Sequence, residues 1–182
     1  DKTRRELASL QIYTVSPFPE DVHPDVSGLP HGGITMNHTV HFRKSLDPVT
    51  KAGCTELDEV NINLHIDPLI YIANDMPNES CWFKEVFQHE RRHVDADRDI
   101  ANKYISRFQD ALHMIFLTPA DYTAGPMQEN AMENADNNLH VSVSAALKNV
   151  FDQMQLERQD AQAQIDTLQE YQRLTSTCGY PS

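Results

Sequence analysis

Nothing between Cys81 and Leu117 stops a helix, and inside that stretch lies the one spacing in the chain that names a chemistry, His89-Glu90-Arg91-Arg92-His93. Phe83, Phe87, Glu90, Val94, Asp97, Ala101, Ile105, Phe108, Leu112 and Ile115 recur at intervals of three and four, the period of an α-helix. On such a helix, residues four apart share a face about 6 Å apart along the axis, so His89 and His93 reach one metal ion. Glu90 stands about 100° round from His89, beside the ion rather than on it. A general base for a water held by the metal belongs there. The remainder of the chain must supply a third ligand, a substrate wall and support for this helix.

Upstream the pattern is β. Gln11 to Ser16 and Ile34 to Lys44 alternate, the latter with Ile34, Met36, His38, Val40 and Phe42 on one side. Glu56 to Ile72 carries Val60, Ile62, Leu64 and Ile66 in alternation, then Leu69 to Ile72, and reads as one or two strands bent at Asp67-Pro68. Asp1 to Leu10 suits a helical turn or a loose arm, and the prolines and glycines between Pro17 and Gly33 make a loop. Asn78 or Ser80 caps the long helix and Thr118-Pro119 stops it. A polar connection follows, with a short helix expected at Met127 to Ala135, and then a second helix whose apolar stripe runs Val143, Leu147, Val150, Met154, Ala161, Ile165 and Leu168. The expected fold is α+β in a single domain: a small N-terminal antiparallel-type sheet in 1–76, the motif-bearing helix at 79–117, a connection at 118–139 and a second long helix at 140–175.

Two long helices in sequence usually pack antiparallel. Counting back from Leu117 to His93 and the same distance forward from His140 reaches Gln164; His89 falls opposite Leu168. Asp166, Glu170 and Tyr171 thereby become candidates for the third ligand or, for Tyr171, a transition-state donor. Asp97 is about 12 Å along the axis from His89, too far to share an ion, and suits support of His93 or a salt bridge with a nearby arginine. His113 reads as an ordinary helix residue; His23, His31, His38, His41 and His65, among strands and loops, read as core or surface residues.

The net charge of −12 argues against a nucleic-acid partner, and no apolar run is long enough to span a membrane. The chain opens at Asp1, which fits a processed product that has lost a signal peptide, or a boundary set by cloning. Cys54, Cys81 and Cys178 allow a pair between Cys54 and Cys81, a pair between Cys81 and Cys178, or three reduced thiols.

The run His-Glu-Arg-Arg-His-Val-Asp-Ala at 89–96 resembles the zincin metallopeptidases and, more narrowly, a bacterial family of predicted secreted zinc-dependent proteases. The resemblance implies a minimal zincin-like fold, Zn2+ bound by His89 and His93, Glu90 as catalytic base, and a periplasmic or secreted location. It also calls for a later Tyr-Asp-x-x-Thr-x-His-Gly run, where this chain has Ile165-Asp166-Thr167-Leu168-Gln169-Glu170-Tyr171 and no His-Gly. Glu129 and Glu133, 36 and 40 residues after His93, stand at a separation from which glutamate-ligand zincins take their third ligand.

The expectation is a zinc-dependent peptidase acting on a protein or peptide, with Asn61 to Ile66 as the edge strand that an extended substrate joins and His65 or Tyr171 as oxyanion donor. The alternative is a non-catalytic helical interaction module whose metal site is incidental or structural. The sequence leaves the oligomeric state open.

Overall fold

The computed structural model describes residues 2–10 and 27–179; the strand expected at Gln11 to Ser16, and His23, lie outside them. Over the described residues the chain is α+β, with most of its strands ahead of its long helices. It falls into two compact units, one of Asp1–Ile34, Ile66–Ile100 and Leu156–Ser182, the other of Thr35–His65 and Ala101–Gln155.

In the first unit, α1 (Arg4–Leu10) is opened by a reciprocal cap: Glu6 accepts from the Thr3 amide at 2.7 Å and the Glu6 amide donates to the Thr3 hydroxyl at 3.3 Å. Strand β1 (Gly28–His31) pairs antiparallel with β4 (Leu69–Ile72), Gly28 opposite Ile72 and His31 opposite Leu69. Leu7, Leu29 and Ala73 form a buried cluster, with Leu10 and Tyr71 packed on it. Helix α2 (Cys81–Leu117) then begins where expected, with the Ser80 hydroxyl accepting from the Phe83 amide at 3.1 Å. In its first twenty residues the buried positions are Val86, His89, Glu90, His93, Val94, Asp97 and Ile100, so the motif lies on the buried face. The end of α4 (Met132–Ile165) and all of α5 (Leu168–Cys178) complete the unit. A disulfide joins Cys81, the first residue of α2, to Cys178, the last of α5, leaving Cys54 free and half-buried.

The second unit holds a three-stranded sheet in the order β2-β3-β5, from β2 (Ile34–Leu46), β3 (Ala52–Ile66) and β5 (Thr123–Gln128). The β2–β3 turn is held by Asp47, whose Oδ1 accepts from the amides of Val49 at 2.7 Å and Thr50 at 2.8 Å. The alternation of both strands matches the sequence reading, and β3 ends at the bend before Asp67-Pro68. Tyr104 and Phe108 on α2, and Val143, Leu147 and Met154 on α4, are fully or almost fully buried.

Three expectations need correction. The stretch read as a loop between Pro17 and Gly33 contains strand β1, Gly28–His31, which finds its partner only in β4, some forty residues later. Of the short helix expected at Met127 to Ala135, Met127 and Gln128 instead end the edge strand β5 (Thr123–Gln128), Glu129–Ala131 form a 3-10 turn and Met132 to Ala135 are the first residues of α4; the single turn α3 (Pro119–Tyr122) precedes β5. An edge position tolerates the Gly125-Pro126 pair within β5, and pairing with β3 shifts register between Gly53 and Thr55. The second long helix starts at Met132, eight residues earlier than expected, and is broken at Asp166-Thr167.

Candidate metal centre

The motif histidines and Glu90 are almost completely enclosed, with 5% of His89, 4% of Glu90 and 2% of His93 exposed. Their four-residue spacing turns both rings to one side of α2, and the two Nε2 atoms lie 3.2 Å apart. The third group arrives from the break between α4 and α5. Thr167 is extended (φ −99°, ψ 154°) and its hydroxyl caps α5 by accepting from the Glu170 amide at 3.3 Å. Asp166, released from helical geometry, sets its Oδ1 3.1 Å from His89 Nε2 and 3.1 Å from His93 Nε2.

These three atoms make a nearly equilateral triangle. In a tetrahedral site, ligand atoms lie about 1.6 bond lengths apart, so zinc bonds of about 2.0 Å call for donors about 3.3 Å from one another. The observed triangle has the dimensions of one face of such a site. Glu90 is close by, since His89, Glu90 and His93 each offer a ligand atom within 4.8 Å of the others. Asp166 makes a short contact with each histidine, whereas Glu90, next in sequence to His89, stands about 100° round the helix from it. Among the described residues Glu90 Oε2 is buried without a hydrogen-bond partner.

The surroundings hold these groups in place. Gln162 accepts from His93 Nδ1 through Oε1, and its Nε2 donates to the His93 carbonyl at 3.0 Å and to Asp97 Oδ1 at 2.6 Å. Asp97 also receives the Arg158 guanidinium in a fork, 2.7 Å from Nε and 3.0 Å from the terminal nitrogen. Glu170 is held by Arg92 and by Arg173, whose Nε is 3.0 Å away, and Arg173 reaches back to Glu85 on α2 at 2.8 Å. Its Oε1 stands 3.6 Å from His89 Nδ1, on the far side of that ring from the Nε2 triangle.

The charge states follow from burial and neighbours. Burial pushes the Glu90 carboxyl up to about 7 against the pull of both histidines. Burial also opposes charge on Asp166, but hydrogen bonds from His89 and His93 and their fields outweigh it and hold this carboxyl far below its usual range. Arg173, against a smaller desolvation and helped by Arg92, brings Glu170 down to about 2. His93 is raised, its burial more than offset by Asp166, Glu90 and Gln162. Burial first, then the surrounding carboxylates, raise Tyr171, whose ring centroid is 6.1 Å from that of His89.

Of the residues singled out by sequence, His89, Glu90, His93, Asp166, Glu170 and Tyr171 are thus gathered in the first unit. Asp97 is held by Arg158 and Gln162, and supports His93 through the latter. Glu129, Glu133, His38, His41, His65, His113 and the segment Asn61 to His65 belong to the second unit, where His38 Nε2 is 2.9 Å from the Ser144 hydroxyl. The strand residue that meets the motif is Gly28 of β1: a Cβ there would lie 2.5 Å from Glu90 Oε1. Sequence reading passed over Gly28, Gln162, Arg92 and Arg158. The signals were slight, since nothing local distinguishes a half-buried glutamine or a glycine that faces a carboxylate.

Comparison of the chain with family models, curated proteins and solved structures finds no match.

Proposed function

We propose that this chain is a zinc-dependent peptidase in which His89, His93 and Asp166 hold the metal and Glu90 is the general base. The observation that carries the reading is the triangle of His89 Nε2, His93 Nε2 and Asp166 Oδ1, 3.1 to 3.2 Å on each side, with an unpartnered carboxylate oxygen buried beside it. Two imidazoles and one carboxylate are a donor set that suits zinc with a position left open. When bound, the ion supplies an acidified water and polarises a carbonyl oxygen.

The residues divide the remaining work. Glu90 takes the proton of the attacking water and passes it to the leaving amine, and the absence of a partner at Oε2 leaves that oxygen ready to accept. Its raised pKa describes the chain without metal; a nearby cation favours the carboxylate, the form a base requires. Tyr171, kept a neutral phenol by burial, is positioned beside His89 as a donor to negative charge developing on the substrate. Arg92 and Arg173 hold Glu170, which in turn faces His89 Nδ1 and steadies that ring.

The test is metal analysis with a cleavage assay on denatured protein substrates. One zinc per chain is expected, and Glu90→Gln should keep the metal while losing at least about a hundredfold in kcat, the scale of a general base. A Glu90→Gln variant with wild-type turnover removes the mechanism. Zinc bound tightly by a chain with no hydrolytic activity would leave the site structural, and iron in its place would turn the same three donors to oxygen chemistry.

A further inference from the structure

We infer that Gln162 is a positioning residue that selects which nitrogen of His93 faces the metal, through a relay running Arg158, Asp97, Gln162, His93. The inference deepens the zinc-site reading and rests on it for its functional meaning, but the geometry of the relay stands by itself.

The orientation of the Gln162 amide is settled by its partners. One end lies 3.0 Å from the His93 carbonyl oxygen and 2.6 Å from Asp97 Oδ1, and neither a carbonyl nor a carboxylate can donate. That end must be the NH2 group. The other end is then the amide oxygen, which can only accept, and it lies against His93 Nδ1. Nδ1 therefore carries a hydrogen, and Nε2 is the ring nitrogen left for the triangle.

The consequence at the triangle is specific. In the metal-free chain Asp166 Oδ1, 3.1 Å from Nε2, also only accepts, so the charged ring donates from both nitrogens, and the proton that an incoming cation displaces is the one on Nε2, because Gln162 keeps the other on Nδ1. Gln162 thus arranges the two donors as a cation needs them before the cation arrives. His89 is not arranged in the same way: the Arg92 guanidinium nitrogen, which can only donate, is 3.2 Å from its Nδ1, with Glu170 Oε1 at 3.6 Å. Of the two histidines, His93 is the one whose ligating nitrogen is set in advance. Arg158 anchors the chain of bonds by gripping Asp97 with two nitrogens, so Asp97, one turn beyond the motif, acts on the metal site through an amide rather than directly.

The experiment reads the ring, not only the activity. Proton–nitrogen correlation spectra of the metal-free, histidine-labelled chain, followed upward in pH until the ring is neutral and assigned with a His93→Gln variant, should show His93 protonated at Nδ1. In Gln162→Met, which keeps the length and removes both hydrogen-bonding ends, the proton should move to Nε2, where Asp166 accepts it. Zinc affinity in that variant should fall about 10- to 100-fold, the usual effect of removing an outer partner of a ligating histidine. A wild-type ring protonated at Nε2, or Gln162→Met binding zinc as tightly as wild type, would overturn the proposal. If the wild type binds no zinc, the peptidase reading fails, while the wild-type tautomer still decides the relay; the same spectrum suffices if Gln162→Met does not fold.

Discussion

Gly28→Ala puts the link between β1 and the proposed base to a direct test. Gly28 needs no unusual backbone angle, so its smallness is a matter of space: an added Cβ would stand 2.5 Å from Glu90 Oε1, 2.8 Å from Glu90 Cγ and 2.6 Å from Val86 Cγ1. Ordinary contact begins near 3.4 Å, so the carboxylate or the strand must give way by roughly 1 Å. Crowding of this kind in a packed interior costs about 1 to 3 kcal/mol, and each kcal/mol lowers Tm by about 2 to 4 °C in a chain of this size. Misplacing a catalytic group by about 1 Å costs on the order of a hundredfold in rate. We therefore expect Gly28→Ala to retain zinc, unfold several degrees early and lose about two orders of magnitude in kcat. Gly33→Ala is the matched control, because a Cβ there meets nothing nearer than the Arg158 guanidinium at 3.9 Å. Carbon-13 spectra of the Glu90 carboxyl in the metal-free chain give a reading independent of activity, since displacement toward solvent would lower its titration from about 7. If Gly28→Ala matches Gly33→Ala in kcat and in the Glu90 titration, the contact does not position the base and the reasoning is wrong.

Two further outcomes are expected. Asp166→Asn should weaken zinc binding by more than the roughly 10- to 100-fold that loss of an outer partner costs, and Glu170→Gln should fall within that range; titration of both variants with zinc checks the order, and the reverse order would give the third corner to Glu170. The metal-free chain should be more stable in mild acid than at pH 8. Glu170 and Asp166 have folded pKa values below their unfolded ones, so their contribution is present above the ordinary carboxylate range and is lost as pH falls toward about 2 for Glu170. Glu90 and His93 are raised, so stability declines as pH rises from the ordinary carboxyl range through about 7 for Glu90 and through the folded pKa of His93. Denaturant midpoints from pH 3 to pH 9 measure this, and a flat profile between pH 5 and pH 8 would contradict it.

The parts of the site that depend on local periodicity were legible before any coordinates. The Ser80 cap, the limits of α2, the shared face of His89 and His93, and the alternation of β2 and β3 follow from residues within a few positions of one another. Even the approach of the second helical segment could be counted, placing Gln164 opposite His93 where Gln162 is found. What escaped were choices made by distant partners. Strand β5 looked like a loop or helix because its Gly-Pro pair is acceptable only at the edge of a sheet that β3 begins. The pairing of Cys81 with Cys178 rather than Cys54 depends on α5 returning to the start of α2. The break at Asp166 did carry a local sign, Thr167-x-x-Glu170, the pattern of a helix start inside what otherwise reads as one helix.

That break accounts for an aspartate in the place of the third donor we propose. Two histidines on one helix fix two corners of a site but leave the third to a chain that must aim inward from another direction. Side chains within a continuous helix lean toward its N-terminus, whereas a residue at a break takes its direction from a freer backbone. With only two side-chain torsions, Asp166 is a precise donor provided that backbone is held. It is held on both sides: Gln162 ties the end of α4 to His93 and Asp97, while the Arg173–Glu85 pair and the Cys81–Cys178 bond tie α5 to the start of α2. The remaining feature is a carboxylate enclosed beside the triangle with one oxygen unpartnered among the described residues, which bracing the fold does not call for. Enclosing such a group costs stability, and a cost of that kind, set next to the proposed metal donors, favours the reading of Glu90 as a base over that of a structural clamp.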